Sequence, residues 1–189
     1  MTSGNSRSKV IVLAGTAGTG KSTIAAKLAE LYQTSYPGLG FLEGDTVHPP
    51  KNIEKMSHGI PLTDEDRWGW LLKVSELSAQ SAQDHSGLWI VTCSSLKRKY
   101  RDLMRSHRPE TDFYFLFLFA DRLLILDRLT KREGHFMKAN MINSQFSDLM
   151  LPESDENLAS KVDVDGKSVE QVLQECHADL KTFVTETKN

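Results

Sequence analysis

The sequence predicts an α/β fold, a five-stranded parallel sheet covered by helices on both faces. Three observations predict it. Five short apolar runs alternate along the chain with longer segments of helical periodicity. The first run, Val10-Ile11-Val12-Leu13-Ala14, is apolar at every position, as a strand buried on both faces must be. A glycine-rich turn then joins it directly to a helical segment, and strands joined through helices pair in parallel by right-handed crossovers.

The elements follow in order. Val10–Ala14 is the first strand, and Lys21–Tyr32 is a helix with Ile24, Leu28 and Leu31 on its apolar side. Gly40–Glu43 makes a short second strand. Pro49, Pro50, Gly59 and Pro61 then break the chain into short helices and turns. Thr63 and Asp66 have the spacing of a capped helix start, with the helix carried through Trp68–Ala82. Leu88–Cys93 is the third strand, Leu96–His107 a helix, and Phe113–Phe119 the fourth strand. Asp121–Arg132 and Met141–Leu151 read as helices, Lys161–Val164 as the fifth strand, and Ser168–Thr185 as a closing helix.

Length and composition bound the function. The 189 residues suit a single domain, assigned to 9–189 after a polar, flexible start at 1–8. Hydrophobic residues make up 39%, charged residues 25%, and the net charge is −2 with basic residues scattered, which argues against nucleic acid or a membrane surface as the main partner. Val10–Ala14 is too short for a membrane span or a signal-peptide core. Cys93 and Cys176 stand far apart, without metal or disulfide spacing, which suits a reducing cytosol.

The turn Gly15-Thr16-Ala17-Gly18-Thr19-Gly20-Lys21-Ser22 fits the phosphate-loop pattern G-x-x-x-x-G-K-[ST] between a strand and a helix. Its glycines let backbone N–H groups face a phosphate, and the helix N-terminus adds partial positive charge. Lys21 is placed for the β- and γ-phosphates of ATP, and the Ser22 hydroxyl for Mg²⁺. A switch GTPase is disfavoured. Asp163-Val164-Asp165-Gly166 has the D-x-x-G spacing but comes near the carboxyl end, and no purine-reading Asn-Lys-x-Asp is present.

Ligands of such sheets bind beyond the carboxyl ends of the strands. Asp45, just past the second strand, is placed to accept a proton from an attacking hydroxyl, or merely to cap a turn. His48 is a polyol hydrogen-bonding candidate, and Arg67 either an anion clamp or an ion-pair partner of the acids before it. Lys97 and Arg101, four residues apart, share one helix face, either as a carboxylate or phosphate site or as part of a solvated basic surface with Lys99 and Arg105. Arg128 and Arg132 repeat that spacing before Glu133-Gly134-His135-Phe136. A lid over about 128–142 would bring their charge to the transferring phosphoryl group and exclude water.

These residues resemble the small P-loop gluconokinases. The matching pieces are Gly15–Thr23, Glu43-Gly44-Asp45 with His48-Pro49, Asn52–Met56, Gly59 with Pro61-Leu62, then Asp64, Asp66, Arg67 and Trp70-Leu71. They continue through Cys93-Ser94, Leu96-Lys97, Tyr100–Leu103, Gly134-His135-Phe136, Ser144-Gln145-Phe146 and Leu151-Pro152-Glu153. The resemblance implies ATP and D-gluconate giving ADP and 6-phosphogluconate, with Mg²⁺, on a shikimate-kinase-like core with a lid, and often a homodimer. It implies that Asp45 is the acceptor-side base, and that His48, Arg67, Lys97, Arg101, His135 and Gln145 contact the sugar acid. Arg128 takes the place of a lid arginine on adenine, Arg132 of one on the phosphates, and Asp165-Gly166 of the turn bordering adenine. Two alternatives remain at this level: another small-metabolite kinase, for shikimate or a nucleoside monophosphate, and an ATP binder without turnover.

Overall fold

A computed structural model describes residues 7–131 and 139–185. Five strands, β1 (Ser8–Ala14), β2 (Phe41–Glu43), β3 (Leu88–Thr92), β4 (Thr111–Phe119) and β5 (Ala159–Asp163), form one sheet in the order β2-β3-β1-β4-β5, every pair parallel. Among the described residues the helices are α1 (Lys21–Tyr32), α2 (Pro50–Ser57), α3 (Asp64–Asp84), α4 (Arg98–His107), α5 (Arg122–Thr130), α6 (Ala139–Asp148) and α7 (Val169–Thr185). The expected parallel sheet with two covered faces is what the chain forms. Ser8 already belongs to β1, and Arg7 pairs with Asp112 at 2.7 Å. Residues 1–6, Arg132, His135 and the centre of the expected lid lie outside the described residues.

The unbroken apolar run of β1 is explained by its place at the centre of the sheet. Ile11 and Leu13 join Leu88, Ile90, Leu116 and Leu118 in one core layer, against Ile24 and Leu28 of α1, Ile125 of α5 and Leu180 of α7. Val10, Val12 and Ala14 alternate into a second layer with Val91, Phe113, Phe115 and Phe117, against Trp70, Leu71 and Val74 of α3 and Tyr100 and Met104 of α4. Period-2 side-chain alternation on a strand covered from both sides requires this arrangement.

The start of α3 follows the sequence signal. Thr63 Oγ1 accepts from the Asp66 N–H at 3.3 Å, and the Asp66 carboxylate accepts from the Thr63 N–H at 2.9 Å, a reciprocal capping box. Lys55 of α2 closes on the same carboxylate at 2.8 Å. Its hydrogen bond, with those from Thr63, holds the Asp66 carboxyl down at about 2. α2 is thereby tied to the head of α3.

Candidate active site

The carboxyl ends of β1, β2 and β3 open into a cleft of about 650 Å³. Its floor is the phosphate loop, with Ala17, Gly18, Gly20, Lys21, Ser22 and Thr23 lining it. Gly15 has φ +125°, and a Cβ there would stand 2.2 Å from the Leu118 carbonyl oxygen, so only glycine lets the loop leave β1 against β4. Thr16 and Thr19 are buried beneath, Thr19 Oγ1 donating to the Thr16 carbonyl at 3.1 Å. Lys21 Nζ donates to the same carbonyl at 2.7 Å, which bends the ammonium back over the loop.

The facing wall comes from the segment after β2. Gly44 packs against β3 so closely that a Cβ would lie 2.2 Å from the Thr92 carbonyl oxygen, and Trp70 Nε1 donates to the Gly44 carbonyl at 2.8 Å. This clamp sets the 3-10 turn Gly44–Val47 that carries Asp45. The Asp45 side chain is 87% exposed and lines the cleft, open to an incoming molecule. His48, only 8% exposed, stacks on Trp70 with ring centroids 4.0 Å apart, and its Nε2 lies 3.9 Å from Asp45 Oδ1. Burial, and secondarily the charge of Arg67, push the His48 pKa below the ordinary histidine value against the pull of Asp45, which favours the neutral ring.

Arg67 lines the same cleft from α3. Its Nη1 donates to Asp148 Oδ2 at 2.8 Å and to the Tyr100 hydroxyl at 3.0 Å, with the guanidinium 5.5 Å from the Tyr100 ring centre. α6 brings Met141, Ser144 and Gln145 to the cleft, and Gln145 Oε1 accepts from the Ala17 N–H at 2.7 Å. One helix therefore touches the phosphate loop through Gln145 and the acceptor wall through Asp148. The i, i+3, i+4, i+7 spacing of Met141, Ser144, Gln145 and Asp148 was the available signal for this face, and Asp148 was not singled out from the sequence.

The expected shared cationic face of Lys97 and Arg101 does not form. Lys97 precedes α4 in extended conformation and pairs with Asp64 at 2.9 Å and Asp148 at 3.1 Å. Asp64 also accepts from Lys99 and the Tyr100 hydroxyl, and hydrogen bonds from Lys99, Tyr100 and Lys97 hold its carboxyl far below the usual range. Arg101 is 1% exposed, bound to Glu156 at 2.5 and 2.7 Å and to the carbonyls of Ser95, Leu96 and Met150. Its guanidinium lies 4.9 Å from the Phe117 ring centre, inside the α4–β4 packing. Helical spacing placed it correctly on α4 and could not reveal that Glu156 would come to meet it.

At the end of α5, Arg128 Nη2 reaches the Val164 carbonyl at 3.4 Å, which brings it beside the Asp165-Gly166 turn. Gly166 takes a left-handed φ of +64° there, and the Asp165 N–H is capped by Asp163 at 2.9 Å. Glu43, which the sequence offered only as part of a motif, lines the cleft and accepts from Thr92 Oγ1 at 2.5 Å. Cys93 also lines it, but burial raises its thiol to about 11, so it is no nucleophile at neutral pH. No helix among the described residues is long and apolar enough to cross a membrane.

A phosphate loop after β1, an acidic turn after β2 and a 2-3-1-4-5 parallel sheet define a P-loop kinase. A family model described as adenylylsulphate kinase matches residues 7–143. A probable gluconokinase of Saccharomyces cerevisiae is 55% identical over 180 residues, spanning 93% of this chain and 92% of that protein. The thermosensitive gluconokinase of Escherichia coli K12 is 39% identical, spanning 87% of this chain and 83% of its own. A crystal structure of a gluconokinase from Sinorhizobium meliloti 1021 superposes with a TM-score of 0.77 at 36% identity, covering 94% of this chain and 93% of that one. The chain belongs to the gluconokinase family of P-loop kinases. These relatives do not favour a shikimate or nucleoside-monophosphate kinase.

Proposed function

We propose that this protein transfers the γ-phosphoryl group of ATP to the 6-hydroxyl of D-gluconate, giving ADP and 6-phosphogluconate. The observation that carries this reading is one cleft joining two kinds of wall: a phosphate loop with Lys21, and Asp45, His48 and Arg67 opposite it. The loop N–H groups and Lys21 hold the phosphates, and Arg128 with Asp165-Gly166 borders the adenine. Arg67 answers the gluconate carboxylate, while His48 and Gln145 hydrogen-bond its hydroxyls. Asp45 takes the hydroxyl proton as the oxygen attacks the γ-phosphorus and the bond to the β–γ bridging oxygen breaks, so ADP departs with that electron pair.

Lys97 supports this site through Asp148 rather than by meeting substrate, and Arg101 has no part in it. Arg132 and His135 retain only the roles that the family resemblance implies for them. The donor set fits Mg²⁺. Ser22 supplies a hydroxyl beside the phosphate loop, and Mg²⁺ takes most of its ligands from nucleotide phosphates and water. When bound, it neutralises developing charge on the phosphates. A homodimer and a cytoplasmic location extend the family reading. Sedimentation velocity tests the first.

The deciding experiment is an ADP-release assay with D-gluconate, shikimate and nucleoside monophosphates offered separately. Turnover with gluconate alone is expected. Turnover with a nucleoside monophosphate and none with gluconate would overturn the reading.

A further inference from the structure

His48 is held from three directions. Its ring stacks on Trp70 with planes 17° apart, its Nε2 faces Asp45, and its Nδ1 lies 3.3 Å from Asn52 Nδ2. Asn52, on α2, is fully buried, and the same Nδ2 donates to the Asp66 backbone carbonyl at 2.8 Å. That second bond fixes the amide. A carbonyl oxygen can only accept, so the Asn52 nitrogen must point towards it. The opposite flip would set Oδ1 against the Asp66 oxygen, lone pair to lone pair. Asn52 Oδ1 accordingly points away and is buried with no partner among the described residues.

An NH₂ group carries two hydrogens, one for Asp66 and one for His48. A ring nitrogen facing an N–H must accept, so Nδ1 carries no proton. The proton of a neutral imidazole then resides on Nε2. We propose that Asn52 is a positioning residue that locks His48 as the Nε2–H tautomer, so that His48 enters the cleft as a hydrogen-bond donor and leaves Asp45 as the base. The 3.9 Å between His48 Nε2 and Asp45 Oδ1 is too long for a direct hydrogen bond. Both groups are therefore open to one substrate hydroxyl, which accepts from His48 and presents its own proton to Asp45. The burial that keeps the ring uncharged works in the same sense, with Asp45 and Arg67 as the charged groups facing it.

The assignment of that hydroxyl to gluconate rests on the proposed function; the tautomer does not. The test is long-range ¹H–¹⁵N correlation spectroscopy of the ¹⁵N-labelled protein without substrate, above the ordinary histidine pKa, with His48→Gln assigning the signals. Nδ1 is expected at the unprotonated nitrogen position and Nε2 at the protonated one. Asn52→Asp, which offers an acceptor, should move the proton to Nδ1. If that variant does not fold, Asn52→Ala should move both shifts towards a mixture. Either variant should lower kcat about three- to tenfold, the worth of one hydrogen bond, with KM for ATP unchanged. A protonated Nδ1 in the wild type, or wild-type shifts in a folded variant, would overturn the lock. The expected spectrum in a protein that ignores gluconate would sink the functional reading and leave the lock standing. Gluconate turnover with Nδ1 protonated would do the reverse.

Discussion

Arg67 Nη1 lies 2.8 Å from Asp148 Oδ2, and this contact ties the head of α3 to the last residue of α6. The side chains are 9% and 19% exposed, so the pair is largely shielded from water. Asp148 aims the guanidinium that faces the cleft, and the same helix reaches the phosphate loop through Gln145. The two halves of the site are thereby joined by one helix.

This geometry makes Arg67 a test of acceptor recognition. Arg67→Lys keeps the charge but loses the planar fork that serves Asp148 and Tyr100 and, in the proposed site, an incoming carboxylate. Steady-state kinetics should show KM for gluconate raised about tenfold or more, with KM for ATP little changed. Asp148→Asn should shift gluconate KM in the same direction by less. If ATP rather than gluconate responds, Arg67 belongs to the nucleotide half.

Lys21 sits at the first position of α1 and bends back to the Thr16 carbonyl, so removing its side chain leaves the core untouched. Lys21→Ala should lower kcat by ~10²–10³, the usual worth of one electrostatic contact to the transition state. The thermal melting curve should be unchanged. Near-normal turnover by a normally folded variant would remove the phosphate-loop assignment.

Asp45 stands on a turn built by Gly44 and Trp70, with its carboxylate exposed to the cleft. Asp45→Asn preserves the shape and removes the proposed base. Turnover should fall by ~10²–10⁴ while gluconate binding, followed by calorimetry, changes far less. Equal losses in binding and turnover would assign Asp45 to substrate holding instead.

Arg101 and Glu156 predict a stability effect. Arg101→Ala leaves Glu156 buried beside Arg105 alone, and loss of one partner from a buried pair costs about 3–5 kcal/mol. Urea unfolding should show it, and residual gluconate KM in the folded fraction should be unaltered. Burial alone would raise the Glu156 carboxyl, but hydrogen bonds from Arg101 and Arg105 hold it below its ordinary 4.5. With the native pKa depressed, this contribution is complete above about pH 4.5 and is lost as pH falls through the lower native value. Glu156→Gln should flatten that part of the acid-stability curve. An unchanged slope would refute the assignment.

The sequence by itself determined the parallel sheet, the phosphate loop and the capped start of α3. Each rests on local rules: an unbroken apolar run in β1, glycines where the backbone takes positive φ, and Thr63 three residues before Asp66. The family was also legible, because its motifs occur in order along the chain. Only the tertiary structure decided which cations remain at the cleft. Lys97 and Arg101 look alike in sequence, yet Lys97 is drawn to Asp64 and Asp148 while Arg101 is buried on Glu156, 55 residues further along the chain. Likewise, nothing local shows that Asn52 would meet the Asp66 carbonyl and so orient His48. The physical reason is the same in both cases. A polar side chain's role depends on which partner satisfies it after burial, and those partners are brought together only when the helices pack on the sheet.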